Sequence, residues 1–172
     1  MKKYKKNNHR VLSIYPILRG YAFILFDSAL SPHDWGTKEI KKDIACAKTI
    51  ASIKELITRY RPDVLVLEDV AEHRTKRSVR LKRIYKAIAR VTEDLSIEIA
   101  VVSRKNVKAT FAQCGAITKH DIAKVIASKI EAFATNMPRV RKAWLAEDRR
   151  MGLFDAASRA LTYYYTVEQQ AI

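Results

Sequence analysis

Arg61-Pro-Asp-Val-Leu-Val-Leu-Glu-Asp-Val70 is the stretch that decides the fold class. Its proline cannot continue a helix, so the amphipathic segment before it must stop near Tyr60. Val64–Leu67 is then an unbroken apolar run. Without the alternation of a half-buried strand, such a run suits a central strand covered on both faces. Glu68 falls at the carboxyl end of that strand, with Asp69 beside it. Open α/β sheets bind ligands outside the carboxyl ends of their strands, which makes Glu68 a site candidate; an acidic cap or a surface ion pair is the competing reading.

Upstream, Arg10–Tyr15 and Gly20–Asp27 read as two strands joined by Pro16-Ile17-Leu18-Arg19-Gly20, and a weaker third strand runs through Asp34–Lys38. Lys41–Tyr60 places Ile44, Ala47, Ile50, Ala51, Ile53, Leu56 and Ile57 at helical spacing. Downstream lie a basic helix, a strand over Ile97–Val102, and a short helix capped by Ser103 and reaching Phe111. Thr118 or Lys119 opens a further helix through Phe133, and a last one runs from near Arg149 to about Val167. A hairpin start followed by crossover connections predicts an α/β fold, a mixed sheet flanked by helices. Residues 1–9 read as a basic tail and 10–172 as one domain, because 172 residues fall within the usual size of a single domain.

Charge gives the first functional lead. Lys and Arg number 33 against 18 Asp and Glu, a net charge of +15, and the sequence pI is ≈ 9.9. Such a surplus attracts polyanions. Between Arg74 and Arg90 the cations are Arg74, Lys76, Arg77, Arg80, Lys82, Arg83, Lys86 and Arg90, with no Asp or Glu from His73 to Thr92. Leu81, Ile84, Ile88 and Val91 form an apolar stripe through the same segment, so one helix face packs while the others carry cations suited to phosphate contact. A solvated basic face is the bland alternative.

Other classes are excluded or thin. No apolar run approaches the ~20 residues a membrane helix needs, and no secretory pattern follows the basic amino terminus. Cys46 and Cys114 stand far apart, which argues against a disulfide framework or a cysteine zinc site and fits a reducing cytoplasm, with both cysteines read as small core residues. His9, His33, His73 and His120 show no metal-ligand spacing; His73 and His120 rank as secondary proton-transfer candidates. Trp144 and Tyr163-Tyr-Tyr165 can stack on bases, although packing is the commoner use of such clusters.

Asp155 sits among small and apolar residues in Gly152-Leu-Phe-Asp-Ala-Ala-Ser-Arg-Ala160. A carboxylate there costs desolvation unless it meets a cation or a metal. Asp148 lies seven residues earlier, on the same face if the helix reaches back, with Glu147 as its neighbour. With Glu68, these acids suggest a carboxylate-held Mg²⁺ site for phosphodiester chemistry, and Lys108 and Lys119 flank a segment able to reach its phosphate.

Taken in order, these pieces resemble a family. Val11-Leu-Ser-Ile-Tyr-Pro16, the Arg61–Val70 stretch, Asn106-Val-Lys-Ala-Thr110, Cys114-Gly-Ala-Ile-Thr-Lys119 and Leu153-Phe-Asp-Ala-Ala-Ser-Arg-Ala160 are similar to the RuvC-type Holliday-junction resolvases of the ribonuclease-H-like superfamily. The resemblance covers about Arg10 to Tyr165. It implies a five-stranded mixed sheet, with the first three strands antiparallel and the others parallel. It also implies homodimers acting on four-way DNA junctions with Mg²⁺ or Mn²⁺. Glu68 and Asp155 match acidic metal ligands, and Lys108 and Lys119 match residues used in cleavage and phosphate binding.

Two departures matter. The family's first-strand Asp is Tyr15 here, and the acidic residue one turn before the final Asp is Gly152. A phenol of pKa ~10 is a poor substitute for a carboxylate bridging two cations. Asp27, Asp69 and Asp148 are the acids able to compensate, although Asp27 belongs to the far end of the adjacent strand. The expectation is a resolvase-like protein that binds branched DNA with a partly degraded metal site. An active Mg²⁺ endonuclease, an RNA-processing relative of the YqgF kind and a non-catalytic interaction protein are the alternatives.

Overall fold

The computed structural model describes residues 9–41, 45–71 and 76–170. His73 and Arg74 lie outside the described residues, as do residues 1–8 of the basic tail and the side chains of Lys76 and Arg77.

β1 (Val11–Ile17), β2 (Gly20–Ser28) and β3 (Ser31–Glu39) form an antiparallel meander. β4 (Val64–Glu68) joins β1 in parallel and β5 (Glu98–Val102) joins β4, giving the order β3-β2-β1-β4-β5. The helices are α1 (Ala45–Tyr60), α2 (Lys76–Asp94), α3 (Arg104–Ala112), α4 (Lys119–Lys129) and α5 (Met151–Gln170). The mixed five-stranded sheet flanked by helices is the architecture the sequence predicts.

Period-two alternation sorts the sheet into two cores. Leu12, Ile14, Leu25, Leu65 and Leu67 face α1 and α2, where Ile53, Ile57, Ile84 and Ile88 meet them. Val11, Ile24, Val64, Val66 and Val102 face the other way, beneath Phe154, Ala156, Ala157 and Ala160 of α5 and residues of α3 and α4. The unbroken run Val64–Leu67 is thus buried on both faces, at about 1.5–3 kcal/mol for each side chain removed from water.

The tight β1–β2 connection depends on Gly20, whose φ is +111°. A Cβ there would stand 1.8 Å from the carbonyl oxygen of Lys38, so no side chain fits.

Several boundaries differ from the sequence reading. β1 continues past Tyr15 through Pro16 to Ile17, because its pairing with β4 ends at Ser13 and the proline's missing N–H is not needed on that side. The helix opened by Thr118 ends at Lys129, where Ile130 turns to extended backbone; a short 3-10 segment, Glu131–Asn136, then carries Phe133 onto Trp35 and Phe154. α5 begins at Met151, so Asp148 precedes the helix rather than lying on its face. Cys46 is half-buried against the α1–α2 core, but Cys114 is exposed at the end of α3, not a core residue. Tyr164 is buried and donates to the His9 carbonyl at 2.6 Å, while Tyr165 bonds Gln113, so this tyrosine cluster is packing. No helix among the described residues is long and apolar enough to cross a membrane.

Candidate nucleic-acid and phosphate site

β1 lies between the antiparallel β2 and the parallel β4, and beyond Ser13↔Val66 the two parallel strands are no longer paired. A crevice at the carboxyl ends of strands where the order reverses is the usual ligand position in open α/β sheets. Alternation from Ser13 and Val66 puts Tyr15 and Glu68 on the face that α5 crosses. Asp155 and Arg159 lie one turn apart on that helix, and Gly152 lets it approach: an added Cβ would sit 3.0 Å from Ile17 Cγ2 and 3.3 Å from Ala22 Cβ.

The result is a cleft of about 520 Å³. Glu68, Lys108, Lys119 and Asp155 all line it, together with Tyr15. Residues from five elements, β1, β4, α3, α4 and α5, therefore meet in one place. α3 brings Lys108, and Ser103 starts that helix by accepting the Asn106 N–H at 3.1 Å. α4 brings Lys119 in its first turn, fixed by a capping box between Thr118 and Asp121.

Sequence reasoning missed Arg159 and gave Glu147 no role beyond that of a neighbour to Asp148. Arg159 Nη2 donates to Glu68 Oε1 at 3.0 Å, and Nη1 donates to the Asp155 carbonyl at 2.9 Å while standing 3.8 Å from Asp155 Oδ1. Its guanidinium carbon lies 4.8 Å from the centre of the Tyr15 ring. Only 4% of its side chain is exposed. Lys119 Nζ bridges Asp155 Oδ2 at 3.0 Å and Glu147 Oε1 at 2.9 Å. An arginine on an Ala-rich buried helix face is the signal that could have revealed this, since such a charge needs an acidic partner.

Burial holds the Asp155 carboxyl above its usual value, and the nearby Lys119 and Arg159 offset this only in part. For Lys119 burial opposes the charge, yet Asp155, Tyr15 and Glu147 together hold the ammonium above the usual lysine value. Both shifts describe one arrangement, a carboxyl in a dry place with Lys119 bonded to it and Arg159 close by.

The other acids go elsewhere. Asp69 accepts the Ala71 N–H at 3.0 Å and does not line the cleft. Asp148 is gripped by Arg150 at 2.6 Å and faces a neighbouring cleft of about 540 Å³ that shares Tyr15. Asp27 pairs with Arg10 and His33 at the far end of β2, since Val11 is level with Phe26.

A Mg²⁺-class ion demands several hard, anionic oxygens around it. The donor set here does not fit that demand. Tyr15 offers a phenol, and oxygens of Glu68, Asp155 and Glu147 each lie on a side-chain cation. Among the described residues no group of three or more His, Cys, Asp or Glu side chains could hold an ion. A divalent ion beside Arg159 would also meet repulsion of about 4 kcal/mol for each pair of unit charges at ~4 Å and an effective dielectric near 20.

The basic helix is only partly open to a ligand. Lys82, Arg83, Lys86 and Arg90 stand on its more open faces. Arg80 instead donates from Nη1 to the carbonyls of Ile17 and Leu18, both at 2.9 Å, tying α2 to the β1–β2 turn.

With sheet order and cleft defined, comparison with solved structures is decisive for the architecture. The fold is that of the Holliday-junction resolvases. Thermus thermophilus RuvC in complex with Holliday junction substrate superposes with a TM-score of 0.71 at 15% identity, covering 95% of this chain and 97% of that one. A second Thermus thermophilus RuvC structure gives 0.65 at 14% identity, covering 94% and 96%. The fowlpox virus Holliday junction resolvase gives 0.53 at 14% identity, covering 91% and 98%. At these identities the likeness is one of fold. No protein-family model matches the sequence, and no curated protein matches it significantly. Within the resolvase fold, the cleft lies where β1, β4 and α5 converge.

Proposed function

We propose that this chain is a resolvase-like protein that binds branched DNA, with the phosphate backbone held by the cleft and by the open cations of α2. The observation that carries the reading is the convergence of Glu68, Lys108, Lys119 and Asp155 in one cleft of a resolvase fold. The net charge of +15 supports a polyanionic partner. Lys108 and Arg104 are exposed on α3 and line the cleft, in position to meet a phosphate at its mouth. In this reading the chain acts as a homodimer, the state that the resemblance to the resolvases implies.

The test uses labelled four-way junction, linear duplex and hairpin RNA, with and without Mg²⁺ or Mn²⁺, scoring binding and strand scission on the same samples. Junction binding tighter than duplex or RNA binding, without nicking, is the expected result. Equal affinity for all three would overturn the assignment to branched DNA.

A nuclease reading has one feature in its favour: Glu147 brings a further carboxylate within reach of Lys119 beside Asp155. In that case metal-dependent nicking would be seen, and Glu68→Gln would abolish it while leaving junction binding intact. Preference for the hairpin RNA would favour an RNA-processing role instead.

A further inference from the structure

We infer that Arg159 is a built-in replacement for a divalent cation beside Glu68, with Lys119 completing the charge balance at Asp155, so that the cleft is neutralised by the chain itself and holds a phosphodiester without metal. The part about the phosphodiester rests on the DNA-binding reading above; the part about the cations does not.

Three sequence features are joined physically. Tyr15 supplies an aromatic face, and the Arg159 guanidinium lies against it at 4.8 Å. A planar, weakly hydrated cation stacks on such a face far better than an ammonium or a hydrated metal would. Gly152 packs closely on Ile17 and Ala22, at 3.0 Å and 3.3 Å from an added Cβ, with the Tyr15 ring at 4.0 Å, so any side chain here would have to push its neighbours aside. Arg159 then satisfies Glu68, and Lys119 satisfies Asp155 and Glu147. Both cations are fixed by covalent attachment to helices that start or cross at the cleft, and a guanidinium does not lose its proton in a protein.

The arrangement accounts for the presence of Glu68 and Asp155 without the other acidic positions. Their negative charge is matched internally, and their role is to hold the two cations in place. Arg159 Nε is buried with no hydrogen-bond partner, a cost that its contacts with Glu68 and the Tyr15 ring must offset.

The deciding measurement is Mn²⁺ binding to the full chain by electron paramagnetic resonance, alongside melting temperature in EDTA, MgCl₂ and MnCl₂ at matched ionic strength. Wild-type protein is expected to show no saturable Mn²⁺ site and the same melting temperature in all three. Arg159→Met strips the cation from Glu68 and Asp155, so it should melt lower in EDTA, recover in MnCl₂ and bind one Mn²⁺ that Glu68→Gln removes. Arg159→Gln, which keeps a donor for Glu68, serves if the first variant does not fold. Saturable Mn²⁺ binding by the wild type that Glu68→Gln abolishes would overturn the inference, as would variants at 159 that gain no metal response.

A second arm measures junction affinity in EDTA and in MgCl₂ at equal ionic strength, expected to agree within about twofold. A strict Mg²⁺ requirement for binding would overturn the inference. Absence of junction binding in both would sink the DNA-binding reading alone, leaving the Mn²⁺ result to judge the cation replacement.

Discussion

Arg159 lies against the ring of Tyr15, its guanidinium carbon 4.8 Å from the ring centre, while the same group donates to Glu68 at 3.0 Å. An aromatic residue near the end of β1 and an arginine one turn after Asp155 thus form a single unit around the two acids of the cleft. Each looks like a defect in a metal site when read alone. Together they are mutually stabilising.

That pairing makes Tyr15 a stability residue as well as a site residue. Tyr15→Phe keeps the ring face, whereas Tyr15→Leu removes it, so urea unfolding should find the leucine variant weaker by a further ~0.5–2 kcal/mol. Equal losses in the two variants would show that Arg159 gains nothing from the ring.

Arg80 and Arg83 are neighbours on one helix with different duties. Arg80→Met loses two hydrogen bonds to the Ile17 and Leu18 carbonyls and should cost about 1–3 kcal/mol. Arg83→Met, on the exposed face, should stay within about 0.5 kcal/mol in the same unfolding experiment.

Binding through the open face of α2 has a distinct signature in salt. A plot of log K against log salt for the four-way junction should fall steeply, because each neutralised phosphate releases condensed counterions. Replacing Lys82, Arg83 and Lys86 by Ala should weaken binding and flatten that slope by about 1 for every phosphate left without its cation. An unchanged slope would take these three residues out of the interface.

Asp148 sets a limit at acid pH. Hydrogen bonds from the Arg150 side chain, joined by those from the Arg150 and Arg139 backbone N–H groups, hold its carboxyl well below the usual range against the opposing effect of burial. A depressed acid contributes stability above its unfolded pKa of ~3.9 and loses it as pH falls toward the folded value. The melting-temperature gap between wild type and Asp148→Asn should therefore be full at neutral pH and shrink below about pH 4. A gap independent of pH would contradict this assignment.

An acid introduced at position 152 should strain the packing of α5 on the sheet. Gly152→Asp places a Cβ 3.0 Å from Ile17 Cγ2 and 3.3 Å from Ala22 Cβ. Overpacking of this kind costs about 1–3 kcal/mol, read as a lower melting temperature in both EDTA and MgCl₂. A variant stabilised by Mg²⁺ would show that the site still accommodates an ion.

Much of this protein is written locally in its chain. The unbroken run Val64–Leu67 announces a strand buried on both faces, Pro62 marks the end of α1, and Ser103 and Thr118 announce the starts of α3 and α4. These signals depend on hydrophobic periodicity, a missing N–H and side-chain caps, all of which act over a few residues. The same local logic places Glu68 at a strand end and Asp155 on a helix too apolar to leave it unpaired. The partners of those acids were not legible. Arg159 meets Glu68 across 91 positions of sequence, Lys119 meets Asp155 across 36, and Arg80 reaches Ile17 across 63. Charge–charge and cation–aromatic pairs follow no spacing rule along a chain; they exist only where strand pairing and helix packing bring the groups together. Sequence therefore determined the elements and the acids, and tertiary structure alone decided that those acids are matched by an arginine and a lysine of the same chain.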